Sequence, residues 1–112
     1  MGSGADWAPA PSLAALRQRA EWLGRLRRFF HDQGVIEVDT PVLAAAGVTD
    51  PQVECLQEWT TGRWLQPSPE YAMKRLLAAG LGDCYQITPA FRAGEQGRWH
   101  NPEFTLLEWY RV

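Results

Sequence analysis

Arg92, Arg98 and His100 lie along a glycine-bearing stretch, Phe91-Arg92-Ala93-Gly94-Glu95-Gln96-Gly97-Arg98-Trp99-His100-Asn101. Cationic side chains on such a loop can hold phosphate oxygens. The segment that follows, Pro102-Glu103-Phe104-Thr105-Leu106-Leu107-Glu108-Trp109-Tyr110-Arg111, reads as a strand returning from the loop. Strand side chains alternate between faces, so Phe104, Leu106, Glu108 and Tyr110 share one face. Thr105, Leu107, Trp109 and Arg111 share the other. One face therefore carries a ring, a carboxylate and a phenol in a row. A purely structural core would not place Glu108 there, because a buried carboxylate is costly unless paired. On this strand alone, an edge with one solvated face reads equally well.

The elements that would position these groups can be read upstream. Ser12 suits the N-cap of a helix. Leu13, Leu16, Ala20, Leu23, Arg27 and Phe30 follow three- and four-residue spacing, with Arg27 the one interruption, and Trp22, Leu26 and Phe29 widen the apolar stripe. Gly34 ends that helix, with Arg27, Arg28 and His31 in its last turns where cations suit the dipole. Its arginines, Arg17, Arg19, Arg25, Arg27 and Arg28, read as a solvated face rather than an RNA-binding one. Val35 to Val38 reads as a short strand stopped by Pro41, followed by a loop of small residues. Val53 to Glu58 and Arg63 to Gln66 flank Trp59-Thr60-Thr61-Gly62 and predict a hairpin, with Gly62 free to take a positive φ. Ser68 as N-cap and Pro69 at the first helical position open a second helix, and Glu70 complements its dipole. Met73, Leu76 and Leu77 form its core face, Lys74 and Arg75 its surface, and Gly80 its end. Asp83 to Thr88 is a further strand leading to Phe91 and Arg92. The expected fold class is α+β, a mostly antiparallel sheet with flanking helices packed on one side.

Composition narrows the function classes. The chain has 112 residues, enough for one small domain, and six tryptophans enlarge a core of modest size. The net charge of −2 provides no global basic field for nucleic acid. Cys55 and Cys84 are the two cysteines and form no Cys-x-x-Cys, so neither a disulfide scaffold nor a zinc site is expected. A reducing, cytoplasmic setting fits. No apolar run reaches the length of a membrane span, and the N-terminus has neither the basic nor the apolar region of a signal peptide. Asp6 argues against myristoylation of Gly2. Residues 1–11 are rich in Gly, Ala and Pro and are expected to form a disordered tail. No Walker A, Gly-x-Gly-x-x-Gly or Ser-His-Asp arrangement is present.

Four ordered pieces carry a family likeness. Phe91-Arg92, the loop, and His100-Asn101-Pro102-Glu103-Phe104-Thr105 resemble motif 2 of the class II aminoacyl-tRNA synthetases, in the form of the lysine branch. Gly34-Val35-Ile36-Glu37-Val38-Asp39-Thr40-Pro41 resembles motif 1. Ser68-Pro69-Glu70-Tyr71-Ala72-Met73-Lys74-Arg75-Leu76-Leu77 is similar to that branch's amino-acid-binding helix start. Glu108-Trp109-Tyr110-Arg111 is more similar to the elongation factor P lysine ligases, the (R)-β-lysine ligase group, than to true lysyl-tRNA synthetases. The likeness covers roughly residues 16 to 112.

The resemblance implies ATP-dependent activation of lysine or (R)-β-lysine as an aminoacyl-adenylate, then transfer to a lysine of elongation factor P. Residues 12–112 would be the N-terminal portion of the catalytic domain, a partial core holding motifs 1 and 2 but not motif 3. Such a piece would be inactive or very weak alone. Arg92 would be the catalytic cation on the α-phosphate. Arg92, Ala93, Gly94, Glu95, His100, Asn101 and Phe104 would bind ATP, with Phe104 stacking on adenine. Ser68, Pro69, Glu70, Glu108 and Tyr110 would bind the amino acid, and two carboxylates suit a substrate with two ammonium groups. No metal ligand is assigned here; Mg2+ would accompany ATP on residues outside this sequence. A homodimer would form through residues 12–41. Gly94 stands where the family's motif 2 has glutamate, so either Glu95 or the Gly94 backbone would make that nucleotide contact. About a dozen residues precede motif 1, too few for an anticodon-binding domain. That makes tRNA a less favoured acceptor. Two other readings are a lysyl-tRNA synthetase fragment and a non-catalytic paralogue fragment used for dimerisation or regulation.

Overall fold

The computed structural model describes residues 7–48, 53–94 and 101–112. In chain order the elements are α1 (Leu13–Asp32), β1 (Ile36–Glu37), β2 (Leu43–Ala44), β3 (Trp64–Leu65), α2 (Glu70–Ala78), β4 (Cys84–Phe91) and β5 (Glu103–Tyr110). Ser12 caps α1 as its residue type predicts: its hydroxyl accepts the Ala15 N–H at 3.1 Å. The helix closes at Gly34, where φ is +72°. The Val35 N–H then reaches back to the Phe30 carbonyl and the Gly34 N–H to that of His31. This paired closure satisfies carbonyls the helix would otherwise leave open. It also puts Phe30 and Val35, both buried, into one apolar cluster.

The larger sheet has the order β1-β4-β5. β5 runs antiparallel to β4 along the full length of both, from Cys84↔Tyr110 to Phe91↔Glu103. β1 is shorter than the expected Val35–Val38 strand and pairs parallel to β4, Ile36 facing Cys84. The α+β expectation holds, with this one parallel pair inside an otherwise antiparallel arrangement. β4 runs beyond the expected Thr88 to Phe91, because its partner β5 continues to pair with it there.

Register decides the two faces of this sheet. Tyr85, Ile87, Leu107 and Trp109 share one face, and α1 covers it. Phe30 stacks on Tyr85 with ring centroids 4.2 Å apart, and lies 6.0 Å from the Trp109 ring. The opposite face carries Gln86, Thr88, Ala90, Phe104, Glu108 and Tyr110. Glu70, at the start of α2, lines one cleft with Arg92, whose guanidinium lies against the Phe104 ring of that second face. The expectation that both helices pack on one side is therefore corrected. α1 takes the apolar face, and α2 opens toward the polar one.

The predicted hairpin exists as a turn rather than a ladder. The Gly62 N–H bonds the Glu58 carbonyl, and φ at Gly62 is +70°. Pairing beyond it is limited to bonds such as Leu65 N–H to the Leu56 carbonyl and a single bridge, Gln57↔Trp64. β3 instead pairs with β2, Leu43↔Leu65, inside what reads in the sequence as a small-residue loop. Gln66, buried, ties this small sheet to β4. Its backbone N–H bonds the Val42 carbonyl, its own carbonyl accepts from Phe91, and its amide donates to Thr88 Oγ1 and the Pro89 carbonyl. Among the described residues no buried side-chain N or O lacks a partner.

Candidate functional site

α2 begins one residue later than expected. The Pro69 carbonyl accepts the first helical bond, from Met73 N–H at 2.9 Å, which makes Pro69 the N-cap residue instead of the first helical one. Ser68 is correspondingly displaced from the cap position. Its hydroxyl still accepts the Glu70 N–H at 3.3 Å, so a side chain continues to serve the helix start. Fixed at that start, Glu70 points into a cleft of about 160 Å³ that Ser68, Pro67 and Arg92 also line. Two segments distant in sequence, the mouth of α2 and the end of β4, thus meet at one opening.

Arg92 is held from three sides. Its Nε donates to the Pro67 carbonyl at 3.3 Å, its backbone N–H bonds the Pro102 carbonyl, and its guanidinium lies 5.2 Å from the centroid of the Phe104 ring. The last contact is a cation–π pair on the polar face of the sheet. Register explains it, since Phe104 faces Ala90 across β4 and β5, two residues before Arg92. The carbonyl and ring leave other donors of the planar fork available for an oxyanion.

Further along the same face, the Tyr110 hydroxyl donates to Glu108 Oε2 at 2.8 Å. Burial first, then that bond to Glu108, pushes the Tyr110 phenol well above its ordinary range, so it stays a neutral donor. Glu70 and Lys74 form an ion pair of 2.7 Å one helical turn apart. The bond to Glu70, more than its charge, raises the Lys74 ammonium pKa, and Glu108 adds to this. Lys74 is exposed, as its sequence reading has it, but it is also the ammonium that balances two carboxylates. The Glu-x-x-x-Lys spacing is the signal that could have found it.

The structure therefore brings together Ser68, Pro69, Glu70, Arg92 and Phe104, with Glu108 and Tyr110 farther along the Phe104 face. Ala93 and Gly94 follow at the loop's start, where the Ala93 N–H bonds the Glu54 carbonyl at 2.9 Å. Asn101 is exposed just before β5. Glu95 and His100 lie outside the described residues, as does Arg98. Sequence reading missed Glu54, whose carboxylate sits against Gly94. It also missed the brace between Gln86 and Thr40, described below. Among the described residues no group of three or more His, Cys, Asp or Glu side chains could hold a metal ion. No helix among them is long and apolar enough to cross a membrane.

What this arrangement offers is a fixed guanidinium next to an aromatic ring, and a carboxylate pair with a phenol donor for cationic groups. The family model described as tRNA synthetases class II (D, K and N) matches residues 6–111. The chain is 52% identical over 116 residues to the elongation factor P–(R)-beta-lysine ligase of Vibrio vulnificus (strain YJ016), covering 96% of this chain and 36% of that protein. It is 50% identical over 119 residues to the protein of the same name from Edwardsiella ictaluri (strain 93-146), covering 99% of this chain and 37% of that one. The corresponding protein of Erwinia tasmaniensis is 49% identical over 119 residues. The chain thus spans little more than a third of the length of these relatives.

Proposed function

Since this chain belongs to the class II tRNA synthetase family of the D, K and N enzymes, we propose that it forms part of an ATP-dependent, lysine-adenylating ligase. The substrate in this reading is lysine or (R)-β-lysine and the acceptor a lysine of elongation factor P; the names of the relatives carry elongation factor P and (R)-β-lysine. The observation that carries this reading is the cleft that joins Arg92 to Ser68 and Glu70.

The chemistry is a displacement. A carboxylate oxygen of the amino acid attacks the α-phosphorus of ATP, an O–P bond forms, and the bond to pyrophosphate breaks. The acceptor amine then attacks the acyl carbon and AMP leaves. Little of this requires covalent participation by the protein; positioning and charge stabilisation dominate. Arg92 bridges the α-phosphate and the attacking carboxylate, since a planar guanidinium can bond both. Phe104 carries the adenine by stacking, with the loop backbone at Ala93 and Gly94, and Glu95, His100 and Asn101, completing the nucleotide site. Glu70 and Glu108 receive the substrate's two ammonium groups, Tyr110 orients Glu108, and Ser68 with Pro69 shapes the entrance. Mg2+ enters this reading only as the counter-ion of ATP. Trp22, Phe29 and Ile36 are exposed along α1 and β1, the surface this reading gives to a second copy of the chain.

ATP–pyrophosphate exchange by the full gene product, with α-lysine and (R)-β-lysine supplied in turn, tests the reading. Exchange dependent on either isomer is expected, and a preference for the β isomer supports elongation factor P as acceptor. Arg92→Ala should lower exchange by about 10²-fold or more without unfolding the protein. Glu108→Gln should weaken lysine use more than ATP use. Absence of exchange with both isomers would refute adenylation.

A further inference from the structure

Pro67 and Pro69 stiffen the short segment that joins β3 to α2. Each fixes its own φ, and each restricts the residue before it, Gln66 and Ser68, to extended backbone. This four-residue splint touches both halves of the candidate site. Its Pro67 carbonyl accepts the Arg92 Nε–H at 3.3 Å, and its far end places Ser68 and Glu70 at the mouth of α2. One side chain fastens the splint to the sheet. The Gln66 amide donates to Thr88 Oγ1 at 3.1 Å and to the Pro89 carbonyl at 2.9 Å, while the Gln66 carbonyl accepts the Phe91 N–H at 2.8 Å. Gln66 and Thr88 are both buried, so water does not readily replace these partners.

The wall of the cleft is formed here by Pro67 and Ser68, and Gln66 is buried beside them. A substrate in the cleft therefore meets the splint and not the amide. What the amide fixes is where the splint sits along β4, and with it the span between the Arg92 guanidinium and the Glu70 carboxylate. On the adenylation reading the reaction depends on that span. Arg92 sits at the α-phosphate, and Glu70 holds the amino acid whose carboxylate must reach the same phosphorus. Misplacing reacting groups by about 1 Å costs on the order of 10²-fold in rate. We propose that Gln66 is a positioning residue for adenylate formation: by bonding Thr88 and Pro89 it sets the Pro67–Glu70 segment against Arg92, and so aligns the amino acid with ATP. This inference rests on the adenylation reading and adds to it a residue that touches neither substrate.

The test is single-turnover formation of the aminoacyl-adenylate by the full gene product, with saturating ATP and either (R)-β-lysine or α-lysine. The rate constant reports alignment, and the amplitude reports the fraction of competent, folded protein. Gln66→Met keeps the length of the side chain and removes both donor bonds. It should lower the rate constant about tenfold or more, while the concentrations of lysine and ATP that half-saturate the protein change less. Thr88→Val removes one of the two acceptors and should lower the rate constant by a smaller factor. Thr88→Ser keeps the hydroxyl and should restore it. The two Thr88 variants decide the matter where Gln66→Met does not fold. A lower amplitude at an unchanged rate constant would show that the amide only supports the fold, and would overturn the assignment. A loss confined to half-saturation by lysine or ATP would also overturn it. Either result leaves adenylation standing, because the variants still form the adenylate. No adenylate from the intact protein with either isomer would remove both readings together.

Discussion

Replacing Gln86 by leucine should cost this fold about 2–4 kcal/mol, more than a substitution of similar size within an apolar core. Gln86 is fully buried in β4. Its Oε1 accepts the Thr40 N–H at 2.9 Å, and its Nε2 donates to Thr40 Oγ1 at 2.8 Å. The pair ties the segment after β1 to the central strand, directly across from Glu108. Leucine removes both bonds, each contributing about 1 kcal/mol, and leaves the Thr40 N–H without its acceptor, which costs a further ~1–3 kcal/mol. The added apolar burial offsets ~1 kcal/mol of this. Thr40→Val keeps the backbone bond and removes only the hydroxyl, so about 1–2 kcal/mol is expected. The two changes share one interaction, and their effects should fall short of additive by about 0.5 kcal/mol or more. Urea denaturation of the full gene product and its three variants, compared at equal m-value, measures all of these quantities. A loss below about 0.5 kcal/mol for Gln86→Leu would show that the brace does not hold β4, and the magnitudes assigned here to buried amide pairs would not apply. Because Glu108 lies opposite, the same variant should raise the KM for lysine more than that for ATP.

Other expectations follow from single residues. Gly24 and Gly34 should respond to alanine with opposite signs. Gly24 lies inside α1, where a Cβ meets only the flexible end of Arg28, so alanine should stabilise by up to ~1 kcal/mol. Gly34 has open space but φ +72°, so alanine there should destabilise by about 1–2 kcal/mol; thermal melts of both variants check this. Glu58 accepts bonds from the N–H and hydroxyl of both Thr60 and Thr61, and these lower its carboxyl from 4.5 to about 2. The stabilisation of this turn is complete above the ordinary carboxylate pKa and is lost as the pH falls toward 2. Amide shifts of Thr60 and Thr61, followed by NMR, should therefore stay constant down to about pH 3 and be half-changed near 2. Burial raises the Cys84 thiol, whereas Cys55 is partly accessible, so iodoacetamide should label Cys55 first. Equal labelling rates would contradict the burial of β4.

Features set by short-range chemistry were legible in the sequence. Ser12, Gly34 and Gly80 mark helix ends because capping involves residues only a few positions apart. The faces of β5 follow from alternation alone. At Ser68 even local chemistry misled, because the Pro69 carbonyl is the acceptor that starts α2 while Ser68 serves from one position outside. β2 was not legible: Leu43 and Ala44 have no strand pattern, and only pairing to Leu65 and Trp64 makes them one. The parallel pairing of β1 was equally hidden, since Ile36 cannot announce Cys84 as its neighbour. Within the candidate site, residue types suggested Arg92, Phe104 and Glu108, whereas Glu70 reads as part of a helix cap until the family resemblance is added. The close approach of Glu54 to Gly94 depends on folding and has no signature in either segment.

The stack of Phe30 on Tyr85 also sets an order of events during synthesis. Phe30 leaves the ribosome on a segment whose Trp22 and Phe29 stay exposed even in the folded molecule. The residues that cover it, Tyr85, Leu107 and Trp109, are made roughly 50 to 80 residues later, a delay of roughly 3–16 s at about 5–20 residues per second. For that interval Phe30 lacks the rings that cover it in the folded molecule. Variants that delay the β4–β5 pairing will prolong this interval, and their first symptom will be lower soluble yield, with the molecules that do fold behaving normally.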